Sequence, residues 1–378
     1  MKLPPLSLYV HVPWCVQKCP YCDFNSHGKK GDIPEKEYVQ HLIDDLKSDL
    51  PYVQGRKIHS IFIGGGTPSL LSADAYVRLL SEVELLIGFE QGIEITLEAN
   101  PGTVETDRFK RYAEAGINRI SIGVQSLQED KLKALGRIHG EQEAINAAHE
   151  AKSAGLNSFN MDLMHGLPGQ SIEDALSDLQ RVIDLSPPHI SWYQLTIEPN
   201  TQFASKPPKL PEDETLWDIQ EQGQALLAQA GYQQYEISGY AKSGYQCRHN
   251  LNYWQFGDYL GIGCGAHGKI TQLDGQQIVR TEKVKHPRGY MDLTKPYLYK
   301  SWQVDESDRA FEFFMNCFRL QAPCNKQAFI SYTGLKLEDV QPAITQAITQ
   351  GLIVDEPHSW LVTNKGHRYL NDLLELFV

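Results

Sequence analysis

Short apolar runs alternate six times with longer segments of helical period between residues 6 and 196. The predicted strands span residues 6–12, 59–64, 94–100, 119–124, 158–164 and 189–196. Their nearly continuous apolar character is typical of parallel strands that are covered on both faces. Ser72, Thr106 and Ser171 are predicted to cap three of the intervening helices. The alternation predicts an α/β fold in which six strand-helix units form an open, partial (β/α)6 barrel, with ligands at the carboxyl ends of the strands.

The same pattern divides the chain into three predicted parts. Residues 1–200 form the barrel, and residues 201–300, which are rich in tyrosine and glycine, extend or cap it. The third part, residues 301–378, resembles a small winged-helix domain of the α+β class. Its predicted elements are helices near 309–320 and 337–350, a hairpin of 352–354 and 360–362, and a closing helix.

Winged-helix domains can bind DNA, but the charge of this one argues against nucleic acid as a partner. Residues 301–378 contain six Lys and Arg against ten Asp and Glu, and the whole chain has a net charge of -12. Such a surface gives no electrostatic attraction to a phosphate backbone. We therefore expect this part to be a packing module at one end of the barrel.

The sequence also indicates a cellular compartment. No apolar run approaches the roughly 18 residues that a membrane helix requires, and two prolines interrupt the first five residues before a signal-peptide core could form. We expect a cytoplasmic protein without a transmembrane segment.

Three of the seven cysteines, Cys15, Cys19 and Cys22, lie within eight residues, directly after the first predicted strand. In a chain without a secretory signal, such a cluster is typical of a metal or redox site. Zinc would need a fourth ligand, for which His27 is a candidate. Alternatively, three thiolates can hold three irons of a four-iron cluster and leave the fourth iron open. The other cysteines, Cys247, Cys264, Cys317 and Cys324, are expected to be buried as small apolar residues.

Polar residues mark the ends of further strands. Gly64, Gly65, Gly66, Thr67 and Pro68 follow the second strand, where missing side chains would let the backbone approach a ligand. Strand ends also carry Glu98, Gln125 and Asp162, while Arg137 after the fourth strand offers a planar fork for a carboxylate.

The CxxxCxxC spacing after the first strand of such a barrel resembles the radical S-adenosylmethionine (SAM) proteins. The segments EANPG, GVQS, LGRIH and DLMHGLPGQ resemble one branch of them, the oxygen-independent coproporphyrinogen III oxidases and the related HemW-type haem chaperones. The resemblance implies that Cys15, Cys19 and Cys22 hold a [4Fe-4S] cluster whose open iron binds SAM, with an electron donor as a partner. It also implies that the SAM region is lined by Tyr9, Tyr21, Gly65, Gly66, Thr67, Glu98, Gln125, Arg137 and Asp162.

Two features separate the two kinds of relative. The oxidases extend the cysteine motif to CxxxCxxCxC, and the position of the last cysteine is Phe24 here. The oxidases also carry an additional amino-terminal segment, whereas the first strand here begins by Leu6. The segments CDFNSH (22–27) and HNxxYW (249–254) look like the chaperones. We therefore expect a protein that binds haem, a [4Fe-4S] cluster and SAM and passes haem to acceptor proteins such as respiratory enzymes. The alternative is a radical SAM decarboxylase acting on coproporphyrinogen III.

The chaperone-like segment supplies a candidate haem ligand. A neutral imidazole is a suitable axial ligand for haem iron, so His249 is the first candidate, with Tyr253 and Trp254 packing on the macrocycle. His267, in the glycine-rich GIGCGAHG, is the second candidate. Cys247 and Cys264 lie near these histidines and are further candidates for thiolate ligation or attachment. The sequence assigns no catalytic residue.

Overall fold

A mixed sheet of twelve strands organises the computed structural model, which describes residues 1–103 and 107–378. The strands among the described residues are β1 (Leu6–Val12), β2 (Trp14–Cys15), β3 (His27–Gly28), β4 (Ile58–Gly65), β5 (Phe89–Ala99), β6 (Arg119–Gln125), β7 (Ser158–His165), β8 (His189–Gln194), β9 (Gln233–Gln234), β10 (Gly239–Ala241), β11 (Asp258–Ile262), β12 (His267–Gln272), β13 (Gln277–Lys283), β14 (Leu298–Gln303), β15 (Cys324–Asn325), β16 (Ile353–Asp355) and β17 (Ser359–Val362).

The described helices cover the sheet and build the carboxyl-terminal part. They are α1 (Glu35–Asp49), α2 (Ala73–Leu86), α3 (Arg108–Glu114), α4 (Glu129–Ala134), α5 (Glu141–Ser153), α6 (Ile172–Asp184), α7 (Gln202–Ser205), α8 (Asp213–Gln229), α9 (Arg248–Trp254), α10 (Pro287–Tyr290), α11 (Glu306–Cys317), α12 (Lys326–Thr333), α13 (Leu337–Thr349), α14 (Asn364–Arg368) and α15 (Leu370–Glu375). Short 3-10 turns occupy Leu50–Tyr52, Pro68–Leu70 and Pro101–Thr103.

The six predicted strands are β1, β4, β5, β6, β7 and β8, and they lie side by side in chain order as parallel neighbours. The predicted fold class is confirmed. β5 starts at Phe89, five residues before the predicted start, and β8 ends at Gln194 rather than at residue 196. The ends of strands are where sequence patterns are least decisive, because pairing continues past the apolar run.

Residues 233–303 add strands at both edges of this parallel sheet, so β14 runs across the predicted boundary at residue 300. β11 pairs with β1 in parallel, and β12, β13 and β14 follow it as an antiparallel extension. β10 and β9 extend the opposite edge beyond β8. The sheet order is therefore β14-β13-β12-β11-β1-β4-β5-β6-β7-β8-β10-β9.

The two faces of β1 illustrate how the sequence forms the barrel wall. Leu6, Leu8, Val10 and Val12 are fully buried in the main hydrophobic core. The alternate residues, Ser7, Tyr9 and His11 among them, project from the other face, because side chains in a strand alternate with a period of two. The interior of the barrel is consequently polar, and its side chains need partners there.

Ser72 and Ser171 cap α2 and α6, as predicted, with hydroxyl groups that accept from Ala75 N at 3.2 Å and Asp174 N at 3.1 Å. Thr106, the third predicted cap, lies outside the described residues. None of the helices in the described ranges is long and apolar enough to span a bilayer.

A buried ion cluster fixes α1 against the antiparallel extension. Lys283 on β13 donates to Asp45 at 2.6 Å and to Asp49 at 2.8 Å, and its side chain is 1% exposed. Tyr290 donates to Asp45 at 2.7 Å. Because an unpaired charge would be costly here, the cluster locks the extension in place.

The carboxyl-terminal part has the helix and hairpin order that the sequence predicted for a winged-helix-like domain. β16 and β17 form the hairpin, and β15 completes a three-stranded sheet. The prediction missed α12 and β15, and the closing helix consists of the two short helices α14 and α15. A second aromatic core holds this part together, and it includes Phe256 and Ile278 from the sheet extension.

Candidate functional site

The cysteine loop connects β1 to α1 at the carboxyl end of the sheet. Cys15 lies in β2, and its carbonyl accepts from Lys29 N at 2.8 Å, while His27 N donates to Pro13 O at 2.7 Å. These bonds close the loop around Cys19 and Cys22. All three thiols are free and half-buried.

Polar donors surround the three sulfur atoms. Burial raises the pKa of the Cys15 thiol, and hydrogen bonds with Thr67 and Ser26 oppose part of this rise. Arg137 Nη1 lies 3.7 Å from Cys19 Sγ, and Ser26 Oγ lies 3.8 Å from Cys22 Sγ. Thiolates that accept such bonds are suited to iron. The donor set therefore fits three corners of a [4Fe-4S] cluster.

The zinc alternative finds less support in the arrangement. His27 contributes its Nε2 to a 3.3 Å contact with Lys285 O and packs against His286. It does not line the cavity that the three cysteines share. Within the described ranges no three His, Cys, Asp or Glu side chains converge on a single ion, whereas each cluster thiolate holds a different iron.

A cavity of about 230 Å³ opens beside the cysteine loop. It brings together eight of the nine residues that the resemblance implied for SAM, namely Tyr21, Gly65, Gly66, Thr67, Glu98, Gln125, Arg137 and Asp162. The ninth, Tyr9, lines a neighbouring cavity. The residues come from the ends of five adjacent strands, β1 and β4 to β7, and the loops that follow them, as expected for a parallel sheet.

The glycine-rich turn after β4 packs closely against the start of the cysteine loop. Gly66 N donates to Val12 O and Thr67 N to Trp14 O, both at 2.7 Å. A Cβ on Gly66 would lie 2.6 Å from the Trp14 carbonyl oxygen, and Gly65 has a φ of +112°. These amides are occupied by protein acceptors, so the glycines set the position of the loop.

Two carboxylates face each other across the smaller cavity. Glu98 accepts from Gly65 N at 3.1 Å, and burial together with the Asp162 charge raises the pKa of Glu98 to about 7. Asp162 accepts from Ser121 at 3.0 Å and from Asn160 at 2.7 Å, although burial still raises its pKa. The pair gives the cavity a negative wall that suits a cationic ligand group.

Gln125 ends β6 in a left-handed conformation, with a φ of +68° beside a register shift between β6 and β7. A non-glycine residue in this region carries backbone strain, which concentrates at ligand sites. Its Oε1 accepts from Tyr193 OH at 2.9 Å. Sequence reasoning missed Tyr193, although it lies near the carboxyl end of β8, where the other polar strand ends had been recognised.

A larger cavity of about 930 Å³ adjoins the first and shares Phe24, Ser26, Gly65 and Glu98 with it. Besides the carboxylates of Asp23 and Glu98, its wall combines aromatic side chains, three cations and three histidines. These are Tyr9, Phe24, Tyr253, Trp254 and Tyr259, then Lys18, Arg280 and Lys285, then His11, His27 and His267. Met315 and Asn316 on α11 complete the wall, so the carboxyl-terminal part closes this cavity.

Asn25 ties the cysteine loop to the larger cavity. The Asn25 side-chain Nδ2 donates to Cys264 O and Lys285 O, each at 2.9 Å. The backbone carbonyl oxygen of Asn25 lies 2.8 Å from His11 Nε2. The sequence contained a signal for it, because Asn25 belongs to the CDFNSH segment.

The structure does not bring His249 to these cavities. His249 is 1% exposed on α9, which lies at the amino-terminal ends of β1 and β4, and its Nδ1 is 3.0 Å from Ser60 Oγ. Burial lowers the pKa of His249 to about 3. Tyr253 and Trp254 of the same helix do reach the larger cavity.

Cys247 and Cys264 are buried and line neither cavity. The Cys247 thiol donates to Glu94 at 3.5 Å and the Cys264 thiol to Lys285 O at 2.9 Å. Burial raises the pKa of each thiol to about 12, so both are neutral at ordinary pH. This agrees with the expectation that they are buried small residues.

Comparison with known proteins supports the resemblance seen in the motifs. Residues 9–182 match the Radical SAM superfamily and residues 304–369 match the HemN C-terminal domain. Heme chaperone HemW of Haemophilus influenzae is 62% identical over 381 residues, covering 100% of this chain and 99% of its own. The Escherichia coli protein of the same name is 60% identical, with the same coverage of both chains.

The solved structures add a likeness of fold. Coproporphyrinogen III oxidase (HemN) of Escherichia coli aligns with a TM-score of 0.83 over 99% of this chain and 90% of its own, at 23% identity. At 23% identity, this likeness shows only that the two proteins share a fold. On the strength of the matches over its whole length, the chain belongs to the HemW family of radical SAM proteins.

Proposed function

We propose that this protein is a cytoplasmic haem chaperone that carries haem in the larger cavity and delivers it to acceptor proteins such as respiratory enzymes. The relatives with 62% and 60% identity bear the name heme chaperone HemW. The observation that carries the proposal is the cavity of about 930 Å³, whose wall is rich in aromatic side chains and includes Lys18, Arg280 and Lys285. Its volume lies at the upper end of the range of about 300–1,000 Å³ for cofactor sites.

The wall of this cavity has the chemistry that a haem requires. Tyr253, Trp254 and Tyr259 offer apolar faces to a flat macrocycle. Lys18 and Lys285 lie at the rim and can pair with the two propionates. The same wall contains imidazoles that can ligate iron.

The smaller cavity is the proposed SAM region. Cys15, Cys19 and Cys22 would hold the [4Fe-4S] cluster, which supplies one-electron chemistry to SAM when both are bound. The negative wall of Glu98 and Asp162 would attract the positively charged amino and sulfonium groups of SAM. Arg137 would pair with its carboxylate through the planar guanidinium fork. An electron donor is a further proposed partner.

Phe24 supports the chaperone over the decarboxylase. It is 60% exposed and lines both cavities, at the position where the oxidase motif carries its last cysteine. An aromatic ring at this boundary adds an apolar surface on which a macrocycle can pack. With Phe24 at this position, the chain lacks the additional thiol of the oxidase motif between the proposed haem and SAM cavities.

Haem delivery is tested by transfer to a depleted acceptor. Haem-loaded protein is freed of unbound haem and mixed with haem-depleted respiratory membranes, and serum albumin carrying the same amount of haem is the control. We expect the cytochrome spectrum and quinol oxidase activity to recover faster from the chaperone than from albumin. Equal recovery rates would show passive release and would contradict the proposal.

A further inference from the structure

We infer that His267, and not His249, is the protein ligand of the haem iron in the larger cavity. The inference rests on the proposed haem-chaperone function and deepens it. It departs from the expectation that the HNxxYW motif itself supplies the iron ligand.

His249 is enclosed by groups that hold its ring in the protein interior. Its Nδ1 contacts Ser60 Oγ, and its ring packs on Phe62 at 5.3 Å and on Tyr253 at 4.9 Å between centroids. Its backbone N donates to Glu94 at 3.1 Å, which anchors the start of α9. Tyr253 contacts the imidazole and itself lines the cavity. His249 Nε2 has no hydrogen-bond partner among the described residues, but His249 does not line the cavity, and its neighbour Tyr253 does.

The three histidines that do line the cavity differ in the freedom of their ring nitrogens. Both nitrogens of His11 are engaged, with Tyr9 OH at 2.9 Å and Asn25 O at 2.8 Å. His27 Nε2 contacts Lys285 O at 3.3 Å. The side chain of His267 is 55% exposed, and its Nε2 lies 4.0 Å from Glu282 Oε1, beyond hydrogen-bond distance. His27 keeps one ring nitrogen without a hydrogen bond among the described residues, but it is half-buried and packs on His286. His267 is exposed, and neither of its ring nitrogens is hydrogen-bonded within those residues, so it is the most accessible of the three to a metal.

The backbone of His267 is rigid although its ring is free. It is the first residue of β12 and lies directly opposite Glu282 in the register with β13. Lys283, next to Glu282, belongs to the buried ion cluster that fixes β13 to α1. A ligand on a fixed strand keeps its position relative to the cavity, which favours metal binding.

Glu282 supplies the second partner that a metal-binding imidazole requires. Iron-ligating histidines donate their other ring N–H to a carboxylate or carbonyl. A small rotation of the His267 side chain would close the 4.0 Å gap to Glu282 and leave the other nitrogen for iron. Lys285 now holds the same carboxylate at 2.6 Å. If a haem propionate paired with Lys285, the Glu282 carboxylate would become free to accept a hydrogen bond from His267. Propionate binding by Lys285 and iron ligation by His267 would then strengthen each other.

The test compares histidine variants of the full-length, cluster-loaded protein during titration with ferric haem. The spin state is read by electron paramagnetic resonance, because the oxidised cluster is silent there. We expect His267→Ala to weaken haem binding by at least about tenfold, a loss of about 1.4 kcal/mol, and to remove the signal of the histidine-ligated haem. Added imidazole should restore that signal. His149→Ala, on the exposed surface of α5, is the matched control and should behave as wild type.

The second arm replaces His249 by Gln, which keeps a polar side chain beside Ser60, and circular dichroism checks the fold. The inference predicts that His249→Gln retains the electron paramagnetic resonance signal of the histidine-ligated haem. An unchanged spectrum in His267→Ala, or its loss in a folded His249→Gln, would overturn the assignment while leaving haem binding established. If wild type itself binds no haem, the proposed function fails instead.

Discussion

The Gly65 amide donates to the Glu98 carboxylate at 3.1 Å, so the glycine-rich turn after β4 is tied to the end of β5. Glu98 thereby joins the wall of the smaller cavity to the turn that packs against the cysteine loop. The carboxylate also faces Asp162, and the two negative charges share one small cavity. This relationship makes the stability of the protein sensitive to the protonation of Glu98.

Glu98→Gln should therefore stabilise the SAM-free protein, and more so at high pH. The folded protein holds a proton up to a pKa of about 7, whereas the unfolded chain releases it near 4.5. Wild-type stability consequently falls as the pH rises from about 4.5 to 7 and stays lower above that range. At pH 8 the variant should exceed wild type in free energy of unfolding by on the order of 1–3 kcal/mol, and the difference should shrink at pH 5. Urea denaturation followed by circular dichroism measures both values, and a pH-independent difference would contradict this reading of Glu98.

Replacing Cys15, Cys19 or Cys22 by Ser should remove the cluster and spare the fold. The main core lies between the sheet and its helices, away from these half-buried thiols. After anaerobic reconstitution, we expect the iron and sulfide contents of these variants to be below about a tenth of the wild-type values. The absorbance at about 400 nm that thiolate-ligated iron and sulfide give should also be lost. Cys317→Ser, in the second core, is the control and should keep its cluster. Retained absorbance in any of the three loop variants would remove that cysteine from the ligand set.

Gly66→Ala should lower the cluster content because a Cβ there collides with the backbone at Trp14. The Cβ would lie only 2.6 Å from the Trp14 carbonyl oxygen, which forces the loop to shift. Gly28→Ala is a matched control on the same loop, since its Cβ would meet nothing within 4 Å. We expect a several-fold loss of iron in the first variant and a wild-type value in the second. Equal iron contents would mean that the turn does not position the cysteines.

Much of the parallel sheet and of the smaller cavity could be predicted, because both follow from local patterns. Apolar runs of strand length predicted β1 and β4 to β8, and polar residues at their ends predicted the cavity wall. β11 was not predicted, since its pairing with β1, as in Leu8 with Leu260, joins distant parts of the chain. Its first residue, Asp258, is also an unusual start for a buried strand. Asp258 is stabilised by Arg56 at 2.7 Å and Lys269 at 3.1 Å, which no local pattern reveals.

The larger cavity was harder to predict because its wall is assembled from distant segments. Phe24, Tyr253, Arg280 and Met315 meet only when the sheet extension and α11 pack together. The HNxxYW motif predicted His249 as a haem ligand, but the spacing of a motif does not indicate which residues of a short helix are buried. Tyr253 and Trp254 reach the cavity, whereas His249 faces Ser60.

Phe24→Ala should weaken haem binding and leave the cluster intact. Loss of an aromatic contact of about 0.5–1.5 kcal/mol corresponds to an affinity decrease of roughly two- to tenfold. Leu85→Ala removes an exposed apolar side chain on α2 that does not line the cavity, and it is the control. Equal haem affinities for the two variants, measured by fluorescence quenching, would exclude Phe24 from the haem site.

The most direct test of haem transport as the protein's function is a parallel titration after anaerobic reconstitution of the cluster. One series receives haem and the other receives coproporphyrinogen III with SAM and a reductant, while porphyrin products and SAM cleavage products are assayed. The account predicts saturable haem binding and no conversion of the porphyrinogen. Conversion of coproporphyrinogen III without haem binding would contradict it and would identify the protein as a decarboxylase.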